Sequence, residues 1–264
     1  AFEGCSSLKQ VTISSSMKNI GEKTFSCCSS LTQITIPSSI QRIGSSAFKE
    51  CTSLTKVIFE ECPSLTSIDT SAFEKCISLK EIQIPSSVKH IESSAFNECS
   101  SLIKLTIPSS VTVINNSSFS GCSSLIQITI PSSVTVIKNN SFNGCSSLVQ
   151  ITVPSSVTEI ESHSFSGCSS LVQITIPSSV TAIDSNSFSG CSSLEQIDIP
   201  SSVKKINSYA FEGCHSLKQL TIPSSVASIG SDAFKDCRSL TQVSFESFTS
   251  LSLINAHIFD GCSS

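Results

Sequence analysis

Apolar positions recur in this chain at one fixed spacing, and between them stand polar residues of equally fixed kind. A representative stretch reads Leu125-Ile-Gln-Ile128-Thr-Ile130-Pro131-Ser-Ser-Val134-Thr-Val-Ile137. Its first half has the spacing L-x-x-I-x-I, whose last positions alternate apolar and polar, as a half-buried strand requires. Pro131 ends that strand because proline has no N–H to give to a ladder. The Ser-Ser that follows is turn chemistry, after which Val134 and Ile137 bring apolar side chains back inward. Phe142 then fills the rear of the unit, and Gly144-Cys145 with the next Ser-Ser forms the corner into the following strand.

The unit repeats from end to end. Cysteines fall at Cys5, Cys28, Cys51, Cys76, Cys99, Cys122, Cys145, Cys168, Cys191, Cys214, Cys237 and Cys262, with nine intervals of 23 residues and two of 25. A phenylalanine stands three residues before each of them, from Phe2 to Phe259. One coil of this size cannot bury its own Leu, Ile, Val and Phe, whereas stacked coils cover one another's apolar faces. Stacking at about 4.8 Å per coil predicts an array roughly 50 Å long. Residues 1–264 therefore read as one solenoid of about eleven coils, each of 23–25 residues.

The motif Ile174-Thr-Ile176-Pro177-Ser-Ser-Val180-Thr-Ala-Ile183, continued by Ser187-Phe188-Ser-Gly-Cys191, resembles the BspA-like, Treponema-type class of leucine-rich repeats. The likeness extends over essentially the whole chain. It implies a repeat solenoid with a parallel β-sheet on the concave side and short strands, turns or 3₁₀ segments on the convex side. It also implies a role in adhesion and partner recognition, often at cell surfaces.

Composition narrows the function classes. A formal net charge of −4 with 14% charged residues leaves no basic footprint for nucleic acid. No apolar run approaches the length of a membrane span, and no leader-like segment opens the chain. Both ends fall in mid-repeat without the polar caps that solenoids need, which suggests a segment of a longer protein. The cysteine column is expected to hold buried free thiols, since parallel Cβ vectors do not suit a disulfide dihedral. Cys27 and Cys62 lie off the column and are the better candidates for reactivity or pairing. One cysteine per coil lacks the close ligand pairs of a zinc site, so no metal is predicted.

Nothing in the sequence assembles a catalytic centre or a cofactor site. His90, His163, His215 and His257 are read as occupying unrelated positions in their repeats, with no repeated carboxylate or serine companion that would suggest a triad. The abundant serines lack a nucleophile elbow, and no glycine-rich phosphate loop occurs. Asn-x-Ser sequons at Asn115, Asn116 and Asn139 would mark the convex side if they carried glycans.

The outward strand positions remain. The third position of L-x-x-I-x-I is mostly glutamine, including Gln127, Gln150 and Gln173, and the fifth is mostly threonine, including Thr129, Thr152 and Thr175. Ladders of Gln and Thr that bond along the sheet are one reading of these rows. The second position varies more: Lys9, Thr32, Thr55 and Lys80, then Ile103, Ile126, Val149 and Val172, then Glu195, Lys218 and Thr241. Four successive coils thus offer an apolar stripe, in a stretch (residues 101–190) whose only charges are Lys104, Lys138, Glu159, Glu161 and Asp184. An exposed apolar strip rimmed by polar groups suits a partner site. The competing account is duplication of nearly identical repeats.

Two longer repeats share a departure. Phe59-Glu60-Glu-Cys62-Pro-Ser-Leu65 and Phe245-Glu246-Ser-Phe248-Thr-Ser-Leu251 replace the Pro-Ser-Ser turn and add two residues. They are read as loops at one corner of the solenoid or as boundaries of a segment. Taken together, the sequence predicts a non-enzymatic, cofactor-free module that binds a protein through its concave sheet. A cell-surface or secreted adhesin or antigen is the first expectation, and a cytoplasmic scaffold the alternative.

Overall fold

A computed structural model describes residues 2–246 and 250–262. The predicted strand halves form ten strands, and in chain order each lies beside the next. Eight of them, from Gln33–Ile36 to Gln196–Asp198, make one parallel sheet, and Gln219–Ile222 pairs with Gln242–Phe245 beyond it. Register is in phase with the repeat, as in Gln127↔Lys104, Ile128↔Leu105 and Thr129↔Thr106. The chain's return is marked by two-residue strands such as Val136–Ile137, also parallel to their neighbours. Among the described residues there are strands, turns and bends and no helix.

Proline sets the length of the long strands. Most are three residues long, as Gln127–Thr129 is, and stop before Ile130-Pro131. Where glutamate replaces proline, the ladder gains a bond: Glu60 N–H donates to Ile36 O at 3.1 Å, and Glu246 N–H to Ile222 O at 3.1 Å. The strands there, Lys56–Phe59 and Gln242–Phe245, run to four residues. A missing donor shortens six of the strands that proline ends, from Glu81–Gln83 to Gln196–Asp198, while Gln33–Ile36 and Gln219–Ile222, which accept the bonds from Glu60 and Glu246, keep four residues.

The core is a set of columns running along the solenoid axis. Phe48, Phe73, Phe96, Phe119, Phe142, Phe165, Phe188, Phe211 and Phe234 are wholly buried. Their rings stack on those of adjacent coils at centroid separations of 5.2–5.8 Å. Such offset aromatic contacts add to the stabilisation from area burial.

The backbone around each phenylalanine satisfies itself in two directions. Alternate N–H groups, those of Asn140, Phe142 and Gly144, donate to Ser162, Ser164 and Ser166 of the next coil at 3.0, 2.8 and 2.7 Å. The groups between them, of Ser141, Asn143 and Cys145, donate three residues back within the coil. This geometry needs left-handed backbone at two places per coil, as at Asn140 (φ 58°) and Gly144 (φ 70°). The second place explains the glycine before each central cysteine, because L side chains resist that conformation.

Cysteine and serine tie the coils together. Each column thiol from Cys28 onward donates to the phenylalanine carbonyl of the preceding coil, as Cys145 Sγ does to Phe119 O at 3.2 Å. All the cysteines are free, and burial drives the buried column thiols upward, Cys122 and Cys191 to about 12. The second serine of each Pro-Ser-Ser turn reaches back as well, Ser133 Oγ to Val111 O and Ser156 Oγ to Val134 O, both at 2.6 Å. These serines are coil-to-coil pegs, a role beyond the turn chemistry the sequence predicts.

Two expectations need correction. Cys62 is not a candidate for reactivity: it is buried, its thiol is pushed up by desolvation, and its Sγ faces Ile36 O and Pro37 O. The added residues of its coil fold it under the surface. Cys27 is half-buried with its thiol near Glu50 Oε2 at 3.6 Å, and it is unpaired. His163 and His257 do not occupy unrelated positions: both lie two residues before the column phenylalanine, in the left-handed place (φ 58° and 62°). The shared φ makes them turn residues. Of the second long repeat, Phe248 lies outside the described residues.

Candidate functional site

The long-strand face is built by alternation. In the coil from Cys122, Leu125, Ile128 and Ile130 turn inward, while Ile126, Gln127 and Thr129 are exposed. Ile126 escapes the strict alternation because it stands at the corner where the chain leaves Ser124 and enters the strand. The same holds in neighbouring coils, so the second-position residues form a row. Ile103, Ile126, Val149 and Val172 are 45%, 51%, 46% and 42% exposed. Their backbones follow one another through the ladder: Ile126 N–H donates to Ile103 O at 3.1 Å, and Val172 N–H to Val149 O at 3.2 Å.

What sets these four apart is that their side chains can make neither a hydrogen bond nor an ion pair. Elsewhere in the row, Thr55 Oγ1 donates to Thr32 O at 3.0 Å and Thr241 Oγ1 to Lys218 O at 3.3 Å. Glu195 and Lys218 pair at 3.1 Å. The central four present only hydrocarbon to solvent. Beside them Ile126, Gln127, Thr129, Val149, Gln150 and Thr152 line a shallow depression of about 520 Å³. Gln173 and Thr175 continue the same surface from the paired strand Gln173–Thr175.

The expected ladder of side-chain bonds is not the one found. Among the described residues Gln127, Gln150 and Gln173 make no side-chain hydrogen bond. Along the glutamine and threonine rows the contacts that form are Thr221 with Ser244 at 3.0 Å and Gln196 with Asp198 at 3.3 Å. Exposed amides are already bonded to water, so fixing long glutamine side chains gains little against the rotamer entropy lost. The consequence is a face of uncommitted amides next to an apolar stripe.

The sequons lie on the return side, near the short strand Val113–Ile114. Asn115 Nδ2 donates to Ile91 O at 2.9 Å and Asn139 Nδ2 to Glu161 Oε2 at 2.6 Å. Asn116 is the exposed one of the three. Among the described residues no group of three or more His, Cys, Asp or Glu side chains is placed to hold a metal ion. Sequence reasoning noted the acidic residue after phenylalanine in the two long repeats but missed its role. Glu60 Oε2 accepts Ser38 N–H at 3.1 Å and Glu246 Oε2 accepts Ser224 N–H at 3.3 Å, so each caps the Pro-Ser-Ser turn of the coil before it. The shared Phe-Glu signature was the available clue.

Parallel coils, inward leucine and isoleucine, and an outward polar face define a leucine-rich-repeat solenoid. The chain matches the BspA type leucine rich repeat region in six copies over residues 1–62, 61–172 and 137–264, and it belongs to that family. It is similar to the solved leucine-rich repeat protein of T. pallidum, with 31% identity over 58% of this chain and 71% of that one, at a TM-score of 0.54. A leucine-rich repeat protein from Eubacterium ventriosum shares 25% identity over 95% of this chain and 82% of its own, at a TM-score of 0.62. A leucine-rich cell surface protein from Faecalibacterium prausnitzii shares 29% identity over 88% and 84%, at a TM-score of 0.49. No curated protein matches the chain. The chain is thus a repeat protein of the kind that serves protein interaction. Among the described residues no helix is long and apolar enough to cross a membrane.

Proposed function

We propose that this chain is a non-catalytic protein-binding module of a cell-surface adhesin or surface antigen, and that all of residues 1–264 act as one solenoid domain. Its partner is a protein of a host, a neighbouring cell or the matrix, bound on the long-strand face. The observation that carries the reading is the unpartnered row of Ile103, Ile126, Val149 and Val172 within a face of free glutamine and threonine side chains. Burying such a row removes apolar area from water at about 25 cal/mol per Å², and the adjacent amides supply direction.

The test is the triple substitution Ile126→Glu, Val149→Glu and Val172→Glu. These side chains are surface-directed, so the circular dichroism spectrum and melting point should stay close to the parent's, while binding of the labelled chain to intact cells and immobilised matrix proteins disappears. Undiminished binding by a folded triple variant would move the site off this row. An intracellular scaffold is the second reading, favoured by fourteen cysteines of which none is paired. Antibody staining of intact and permeabilised source cells separates the two: signal on intact cells supports the surface role, and signal only after permeabilisation retires it.

A further inference from the structure

The two long repeats build the same cleft twice. In the first, Gln10, Thr12, Gln33 and Thr35 form a floor beside Pro37 under the overhang of Glu60, enclosing about 600 Å³. In the second, Gln196, Asp198, Gln219 and Thr221 lie beside Pro223 under Glu246, enclosing about 330 Å³. Each residue of the first set has its counterpart 186 positions further on, from Gln10 and Gln196 to Glu60 and Glu246. In the intervening coils proline stands where the glutamate would, from Pro85 to Pro223, so the overhang occurs at these two places only among the described residues.

Two features give the clefts a chemistry. Their lining includes carboxylates but no lysine or arginine: Glu60 in one, Glu246 and Asp198 in the other. Each overhanging glutamate is held by a serine N–H through one oxygen, which leaves most of its acceptor capacity free. The floor glutamines each offer a donor and an acceptor, the pair that an extended peptide backbone presents in turn. With eight coils between them, the clefts stand roughly 38 Å apart along the array.

We infer that these clefts are a matched pair of sites for extended protein segments bearing lysine or arginine, one basic side chain meeting each overhanging glutamate. The inference rests on the protein-binding reading of this face but uses residues outside the apolar row. The partner it describes carries two basic segments, or one long segment with basic residues at both ends. Occupying both sites at once would raise the overall affinity above that of either alone.

The decisive variant is Glu60→Gln with Glu246→Gln. A glutamine carbonyl still accepts the Ser38 or Ser224 N–H, so the turn cap is kept while the charge goes. The probe is a blocked peptide of alternating lysine and threonine, titrated calorimetrically, with the glutamate–threonine peptide as control. The parent chain should bind the lysine peptide at two sites, Glu60→Gln at one, and the double variant at least tenfold more weakly, with no binding of the control. The variant with Ile126→Glu, Val149→Glu and Val172→Glu should still bind it. No binding by the parent, or equal binding by the folded double variant, overturns the inference. If the lysine peptide fails while cell binding depends on the apolar row, the clefts fall and the face reading stands.

Discussion

The four coils that carry Ile103, Ile126, Val149 and Val172 are built inside as their neighbours are and finished differently outside. Phe119, Phe142, Phe165 and Phe188 are as fully buried as Phe48, Phe73 and Phe211. The central thiols of Cys145 and Cys168 reach the preceding carbonyl at 3.2 and 3.3 Å, and those of Cys51 and Cys76 at 3.1 and 3.2 Å. On the surface the two regions part. Flanking coils carry inter-coil ion pairs such as Lys49–Glu74 at 3.1 Å, where the central ones have Ser, Asn and Gly. One difference is internal: the residue before the phenylalanine is Ser118, Ser141, Ser164 and Ser187 in the centre, and Ala47, Ala72, Ala95, Ala210 and Ala233 outside it, all fully buried. A buried serine cannot touch a partner, so common descent of the four coils is the simplest account of it. Shape is therefore set by the shared interior, and the stripe is a surface trait carried by one lineage of repeats.

The widest test of a shared interior is alkaline unfolding. Desolvation, reinforced for most by neighbouring thiols, pushes Cys76, Cys99, Cys145, Cys168 and Cys214 well above the ordinary 9.0, and Cys51, Cys122, Cys191 and Cys237 to about 12. Above pH 9 the unfolded chain has released these protons while the folded chain still holds them, so folding stability falls as pH rises from 9 towards 12. Each thiol contributes a slope of about 1.4 kcal/mol per pH unit, and nine together roughly 12. That slope matches the whole stability of an ordinary domain, about 5–15 kcal/mol, within about one unit. Far-ultraviolet circular dichroism against pH should show one steep loss beginning just above pH 9. Two separated steps would mean that central and flanking coils do not share one interior.

A smaller effect compares the regions directly. Phe142→Ala in the centre and Phe73→Ala in a flank each remove a buried ring stacked on both sides, at 5.4 and 5.6 Å in the first case and 5.2 and 5.5 Å in the second. Both should cost about 3–5 kcal/mol in urea unfolding, the range for large-to-small aromatic changes in cores. Costs differing by more than about 1 kcal/mol would show that one region packs more tightly, and no loss for Phe142→Ala would remove the ring from the core.

Most of the fold is legible from period and polarity. The strand residues, the proline stop and the inward Phe and Cys columns follow from spacing, because every coil faces nearly the same environment and eleven copies average out local accidents. What escaped the reading is whatever depends on a neighbour one coil away. Pro-Ser-Ser looks like turn filler until Ser133 is seen donating to Val111 O, and Cys62 looks off-pattern and available until the added residues fold it beneath Pro37. The apolar row was readable because four second positions change together. Which flanking side chains bond across coils was not, since the reach of Thr55 Oγ1 to Thr32 O and of Lys218 Nζ to Glu195 Oε2 depends on the neighbouring coil.

The finest comparison converts a central coil towards a flanking one. Ser141 Oγ and Ser141 N–H both donate to Lys138 O, so the hydroxyl adds a second bond to a carbonyl that already has a backbone donor. In Ser141→Ala the carbonyl keeps its N–H partner, just as Gly44 O keeps that of Ala47 at 3.1 Å. No buried acceptor is left bare, and unsatisfied groups are what make such losses large. The change should therefore move stability by less than about 1 kcal/mol, with binding through Ile126, Val149 and Val172 unaltered. A loss above about 2 kcal/mol would mean that the hydroxyl is needed for the central packing, and that the serine was retained for stability rather than by descent.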